Sequence, residues 1–116
     1  MTECIIEKNS FNIEKINSQI EEYGRLNNIN NNKISDIKAV IEEFLSNILF
    51  PNFDGGIEFS IVKDERGIVL SFCYSGADYM QKVTDDSFLS LKIIKSKSKE
   101  IKSCSKDGRL TIEFIM

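Results

Sequence analysis

Between residues 34 and 49 the side chains Ile34, Ile37, Val40, Ile41, Phe44, Leu45, Ile48 and Leu49 recur at helical spacing, a stripe that covers one whole face of a helix. Such a helix needs an apolar cover. Pro51 stops it, and the period then changes from 3.6 to two, with Ile57, Phe59 and Ile61 alternating with Glu58 and Ser60. A polar turn over Lys63–Gly67 leads into a second apolar run, Ile68–Cys73, so strands over 57–62 and 68–73 form a hairpin. A wide-striped helix beside half-buried strands implies helices layered on a sheet.

The flanking segments extend the same plan. Cys4–Glu7 reads as an opening strand, and Asn9, Ser10 and Asn12 offer caps for a helix carrying Ile13, Ile16, Ile20 and Tyr23. Gly24 and the polar run Asn27–Asn32 loosen or end that helix, because Gly and Asn favour turns. Residues 74–87 read as an irregular segment, followed by a last helix from about Ser87 to about Cys104. Lys106-Asp107-Gly108 then turns into a closing strand over 109–115, with Leu110, Ile112 and Phe114 on one face. The expected order is β-α-α-β-β-loop-α-β. This is an α+β two-layer sandwich, three helices on one face of a mixed, mostly antiparallel sheet, and at 116 residues it is a single domain spanning 1–116.

Composition narrows the function. The chain contains no histidine, which removes imidazole catalysis, histidine phosphorylation and histidine-ligated metal together. Fifteen basic against 18 acidic residues give a net charge of -3, so a whole-surface nucleic-acid footprint is not expected. Cys4, Cys73 and Cys104 form no C-x-x-C pair and read as reduced thiols. The opening MTECIIEKNS has no basic segment followed by a long apolar run, and no stretch approaches ~20 apolar residues, so a soluble cytoplasmic protein without a membrane partner is expected.

On the striped helix, Glu43 and Asn47 stand four residues apart and share a face. A carboxylate there can orient or deprotonate a water, and an amide oxygen can help hold Mg²⁺ on phosphates. An exposed Glu and Asn without a ligand is the plainer alternative. A catalytic role for Cys73 or Asp78 lacks a supporting base.

The run Glu43-Phe44-Leu45-Ser46-Asn47, followed by a hairpin, an irregular segment, a helix containing Leu89-Ser90-Leu91-Lys92-Ile93-Ile94-Lys95, and a closing strand after Asp107-Gly108, resembles the GHKL (histidine-kinase-like) ATPase domain. More narrowly it is similar to the stand-alone anti-sigma-factor serine kinases of bacteria. The resemblance implies that Glu43 stands at the catalytic base position and Asn47 at the Mg²⁺-holding asparagine. It places the adenine-binding D-x-G-x-G box at Tyr74-Ser75-Gly76-Ala77-Asp78, where Gly76 is kept but the adenine-accepting Asp is Tyr74. The phosphate-loop glycines fall at Phe88 and Ser90. The nucleotide positions are thus Asn47, Tyr74, Gly76 and Ser90, with nucleotide binding expected to be weak or lost. ATP and Mg²⁺ are the cofactors only if that site works.

Six lysines against Glu100 give segment 92–106 a net charge of +5, which leaves -8 for the remaining residues of a chain whose net charge is -3. Lys92, Lys95, Lys99, Lys102 and Lys106 follow a 3-4-3-4 spacing and read as one face of the last helix. They are either a solvated helix back or a docking ridge for an acidic protein. The expected function is regulatory binding of a partner protein, sigma-factor-like or resembling an anti-sigma antagonist, with homodimerisation carried over from the resemblance. The alternative is an active ATP-dependent anti-sigma-factor serine/threonine kinase.

Overall fold

The computed structural model describes residues 3–53, 55–81 and 85–116. The opening strand β1 (Glu3–Glu7) leads to helix α1 (Ile13–Leu26), whose cap is Asn12: its Oδ1 accepts from the N–H groups of Glu14 at 3.0 Å and Lys15 at 3.3 Å. Two otherwise unpaired helix-end donors are thereby satisfied. Gly24 does not end the helix. It is buried where α1 crosses the next helix, and a Cβ there would run into the Ile34 side chain. The asparagine run supplies the turn instead, with Asn28 at φ 54 and Asn30 capping Lys33 N–H at 2.8 Å.

Helix α2 (Asn31–Glu42) carries the broad stripe and continues into a π-helical segment, Glu43–Leu49, closed by Phe50 N–H donating to Leu45 O at 2.9 Å. Strands β2 (Gly56–Asp64) and β3 (Gly67–Tyr74) form the expected hairpin. Short turns at Tyr79–Gln81 and Asp85–Ser87 precede α3 (Phe88–Lys97), and the chain ends with β4 (Glu100–Lys106) and β5 (Arg109–Ile115).

The sheet order is β1-β2-β3-β5-β4, and every pairing is antiparallel. The three helices pack on one face of it, the two-layer α+β arrangement expected. Ile57, Phe59, Ile61, Leu70, Phe72, Ile112 and Phe114 face inward against Ile37, Ile41, Phe44, Leu45 and Ile48. Alternation along the strands places the other residues on the outer face, where Ser71, Cys73 and Thr111 are partly exposed and Val69 and Ile115 are buried.

One element differs from expectation. The last helix stops at Lys97, and 100–106 is an edge strand rather than helix. Asp107 (φ 53) and Gly108 (φ 78) form a two-residue turn with both residues in the left-handed region, the geometry that joins paired strands. An Asp-Gly turn of this kind needs a strand before it as well as after. The five lysines therefore do not share a helix face: Lys92 and Lys95 lie on α3, Lys99 on the link, and Lys102 and Lys106 on β4.

Candidate functional site

The π-helical segment, the turn at Tyr79–Gln81 and α3 are neighbours on the helical side of the fold. The extra backbone atoms in each π turn change which side chains stack, and such segments recur at functional sites. Here the winding buries Phe44, Leu45, Ile48 and Leu49 as two pairs four apart. Glu43 and Asn47 ride on the flank of that buried face. Asn47 Nδ2 donates to Glu43 Oε2 at 2.9 Å, so the two predicted site residues are brought together at the surface. The Asn47 Oδ1 remains an acceptor, and the Glu43 carboxylate is half-buried.

Tyr74, at the end of β3, is fully buried. Its ring centroid lies 5.0 Å from that of Phe53 and 6.4 Å, nearly parallel, from that of Tyr79. The hydroxyl donates to Ala77 O at 2.8 Å, which ties the loop after β3 back onto the strand. Burial first, and then the nearby Asp78 carboxylate, push the phenol well above its ordinary pKa, so it stays a neutral donor. Gly76 packs on the same rings: a Cβ there would sit 3.2 Å from Tyr74 and 3.4 Å from Phe53. Asp78 Oδ1 accepts from Met80 N–H at 3.0 Å.

These groups do not fit an adenine-binding box. The position of the adenine acceptor holds a donor whose hydrogen bond is already made, and aromatic rings fill the space beside it. Ser90 is buried in the first turn of α3, where a phosphate loop would need its backbone open. Phe88 projects outward, 54% exposed, with Lys92 Nζ 5.2 Å from its ring centroid. Glu43 and Asn47 thus meet each other, while Tyr74 and Gly76 belong to a separate aromatic cluster.

The fold has a counterpart among solved proteins. A chain in the crystal structure of the SiaB–SiaC complex from Pseudomonas aeruginosa superposes with a TM-score of 0.64 and 16% identity, over 97% of this chain and 89% of that one. At this identity the likeness is one of fold. No family profile matches the chain, and no curated protein matches it.

Sequence reasoning missed two surface features. Phe88 and Leu89 (68% exposed) stand together at the start of α3, an apolar pair beside Lys92 and Lys95. On the outer sheet face, Arg109 Nε donates to Cys73 Sγ at 3.4 Å while its NH2 lies 3.5 Å from Glu58. The first was hidden because Phe88 stands at a glycine position of the resembled motif and Leu89 lies between the two such positions. The second needed the strand pairing. Among the described residues no group of histidine, cysteine or carboxylate side chains is arranged to hold a metal, and no helix is long and apolar enough to cross a membrane.

Proposed function

We propose that this chain is a regulatory protein-binding domain, built on a fold resembling the anti-sigma-factor kinases, in which the nucleotide box has become core. The observation that carries this is Tyr74, fully buried between Phe53 and Tyr79 with its hydroxyl spent on Ala77 O. An adenine would have to displace packed rings and break the Tyr74 hydrogen bond to Ala77 O. The superposable chain was solved as part of a protein complex, which favours a protein as the ligand. Partner contact is assigned to the start of α3, where exposed Phe88 and Leu89 lie next to Lys92 and Lys95. Apolar anchors flanked by cations suit an acidic protein surface with an apolar pocket, sigma-factor-like or resembling an anti-sigma antagonist.

Thermal unfolding with Mg²⁺-ATP tests this. A ligand at 100 times its Kd adds about 2.7 kcal/mol, on the order of 10 °C for a domain of this size. The expected result is no resolvable shift at millimolar nucleotide. Low-micromolar binding would reverse the assignment in favour of an ATP-dependent serine/threonine kinase, the reading that the hydrogen-bonded Glu43–Asn47 pair supports.

The docking surface has its own measurement. Reversing Lys92 and Lys95 to Glu should weaken capture of an acidic partner about tenfold or more, with wild-type binding falling as salt is raised. Salt-insensitive binding that survives the reversal would move the contact elsewhere.

A further inference from the structure

The sheet has two edges, and they differ. Strand β1 is five residues long, carries Glu3 and Glu7, and has Phe11, Lys15 and Gln19 walling a crevice alongside it. Strand β4 is seven residues long, its register with β5 runs unbroken from Glu100 to Lys106, and each of its residues except Ile101 is exposed. It contains no proline. Short length, proline, bulges and a covering element are the usual guards of an edge strand, and among the described residues β4 shows none of them between Glu100 and Lys106. Lysine is its guard.

The turn after β4 fixes which of its backbone groups face outward. Residues flanking a two-residue turn exchange both of their hydrogen bonds, so Lys106 pairs with Arg109 in this way, and Cys104 with Thr111 and Lys102 with Glu113 follow by alternation. The N–H and C=O groups of Ile101, Ser103 and Ser105 therefore point away from β5, and no described residue bonds to them. Side chains alternate as well. Lys102, Cys104 and Lys106 stand toward the outer face, and Ile101, Ser103 and Ser105 toward the helical layer, where Ile101 packs against the core. Lys102 has only a loose contact of 3.8 Å with Glu100, and Lys106 has no ion-pair partner among the described residues.

We infer that β4 takes up an extended acidic segment of a partner protein as a sixth strand, antiparallel to it. Main-chain hydrogen bonds supply affinity in such strand addition, and alternate side chains supply specificity. Antiparallel pairing is the more stable arrangement and the one found throughout this sheet. Alternate residues of the segment exchange hydrogen bonds with Ile101, Ser103 and Ser105. The residues between them stand opposite Lys102, Cys104 and Lys106, in the pairs where side chains come closest, so acidic side chains there meet two ammonium groups. Lysine thus opposes a basic strand and selects an acidic one. Opposite Ile101 an apolar side chain extends the edge of the core. A nucleic acid suits this edge less well, because single strands stack on aromatic rings and β4 carries none. The edge follows the C-terminal end of α3, whereas Phe88 and Leu89 lie at its start, and neither surface depends on the other.

NMR of the full chain with a synthetic peptide, glutamate at every second position and valine between, decides it. The expected Kd is on the order of 10–100 μM, rising with salt. Amide exchange at Ile101, Ser103 and Ser105 should slow on binding, while Lys102 and Cys104, already bonded to β5, change little. Methylating the valine nitrogens, which face β4, should cost about tenfold or more in affinity, and methylating the glutamate nitrogens should leave it within about twofold. Lys102→Glu/Lys106→Glu should lose about tenfold or more for this peptide and gain binding to one with lysine in place of glutamate, a rescue that unfolded protein cannot give. Four results would each overturn the inference: undiminished binding of the valine-methylated peptide, loss on methylating the glutamate nitrogens instead, slowed exchange around Phe88 in place of β4, or equal binding of a peptide with the same residues and its glutamates grouped. So would exchange at Ile101, Ser103 and Ser105 that slows with protein concentration alone, which would give the edge to a second copy of this chain.

Discussion

Tyr74→Asp, the substitution that would restore the carboxylate of an adenine box, is expected to destabilise the protein by about 4 kcal/mol or more and leave little of it folded. Removing a buried aromatic ring costs about 3–5 kcal/mol, and an unpaired carboxylate in its place adds several more. Native domains hold only about 5–15 kcal/mol in total. Phe53, Tyr79 and Gly76 all pack on the lost ring. Tyr74→Phe keeps the ring and loses only the hydrogen bond to Ala77 O, about 1 kcal/mol. Denaturant midpoints for the three proteins check this ordering, and a Tyr74→Asp protein within 2 kcal/mol of wild type would mean the loop repacks cheaply.

Titration offers a second readout of the same group. The folded-state pKa of Tyr74 is raised above the ordinary value of 10.0, so its stabilising contribution is present below about pH 10. As pH rises further the unfolded chain ionises first, and that stability is progressively lost. Tyr74→Phe should flatten this alkaline slope.

The layered fold could be read because two periodicities pointed the same way. The stripe from Ile34 to Leu49 and the alternation of Ile57, Phe59 and Ile61 each present an apolar face that only the other can cover. Strand β4 could not be read that way. As an edge strand it buries little, with Ile101 its one residue packed against the core, and edge positions favour exposed lysines. Its lysines at 102 and 106 continued the spacing of those on α3 by coincidence of number. The Asp-Gly turn was the stronger signal, because a left-handed pair at 107 and 108 specifies a hairpin.

At the site, the four-residue spacing of Glu43 and Asn47 implied a shared helix face, and their side chains meet there. Local spacing is visible along a chain, whereas convergence is not. Tyr74 meets Phe53 from the far side of the β2–β3 hairpin, and nothing in the sequence around residue 74 distinguishes a phenol in a loop from one in a core. The π winding of 43–49 is likewise unmarked, since Phe44, Leu45, Ile48 and Leu49 keep the spacing of an ordinary α-helical stripe.

The packing of these side chains links the core to the surface pair and makes Phe44 the position where both respond. Its ring centroid lies 4.9 Å from Phe72 and 5.1 Å from Phe114, so one side chain joins the helical layer to two adjacent strands. Phe44→Ala is expected to cost about 3–5 kcal/mol, because a fully buried ring leaves a cavity that the facing rings on two strands cannot both move to fill. Phe44→Leu, a smaller loss of volume in the same apolar site, should cost about 1–2 kcal/mol and leave the fold intact. With less to hold the wider turn open, 43–49 is expected to relax toward α-helical winding. Glu43 and Asn47 would then rotate relative to each other, and the side-chain amide protons of Asn47 should shift in the NMR spectrum of Phe44→Leu. An unchanged Asn47 amide, or a Phe44→Ala penalty below 1 kcal/mol, would show that the π winding does not depend on the ring beneath it.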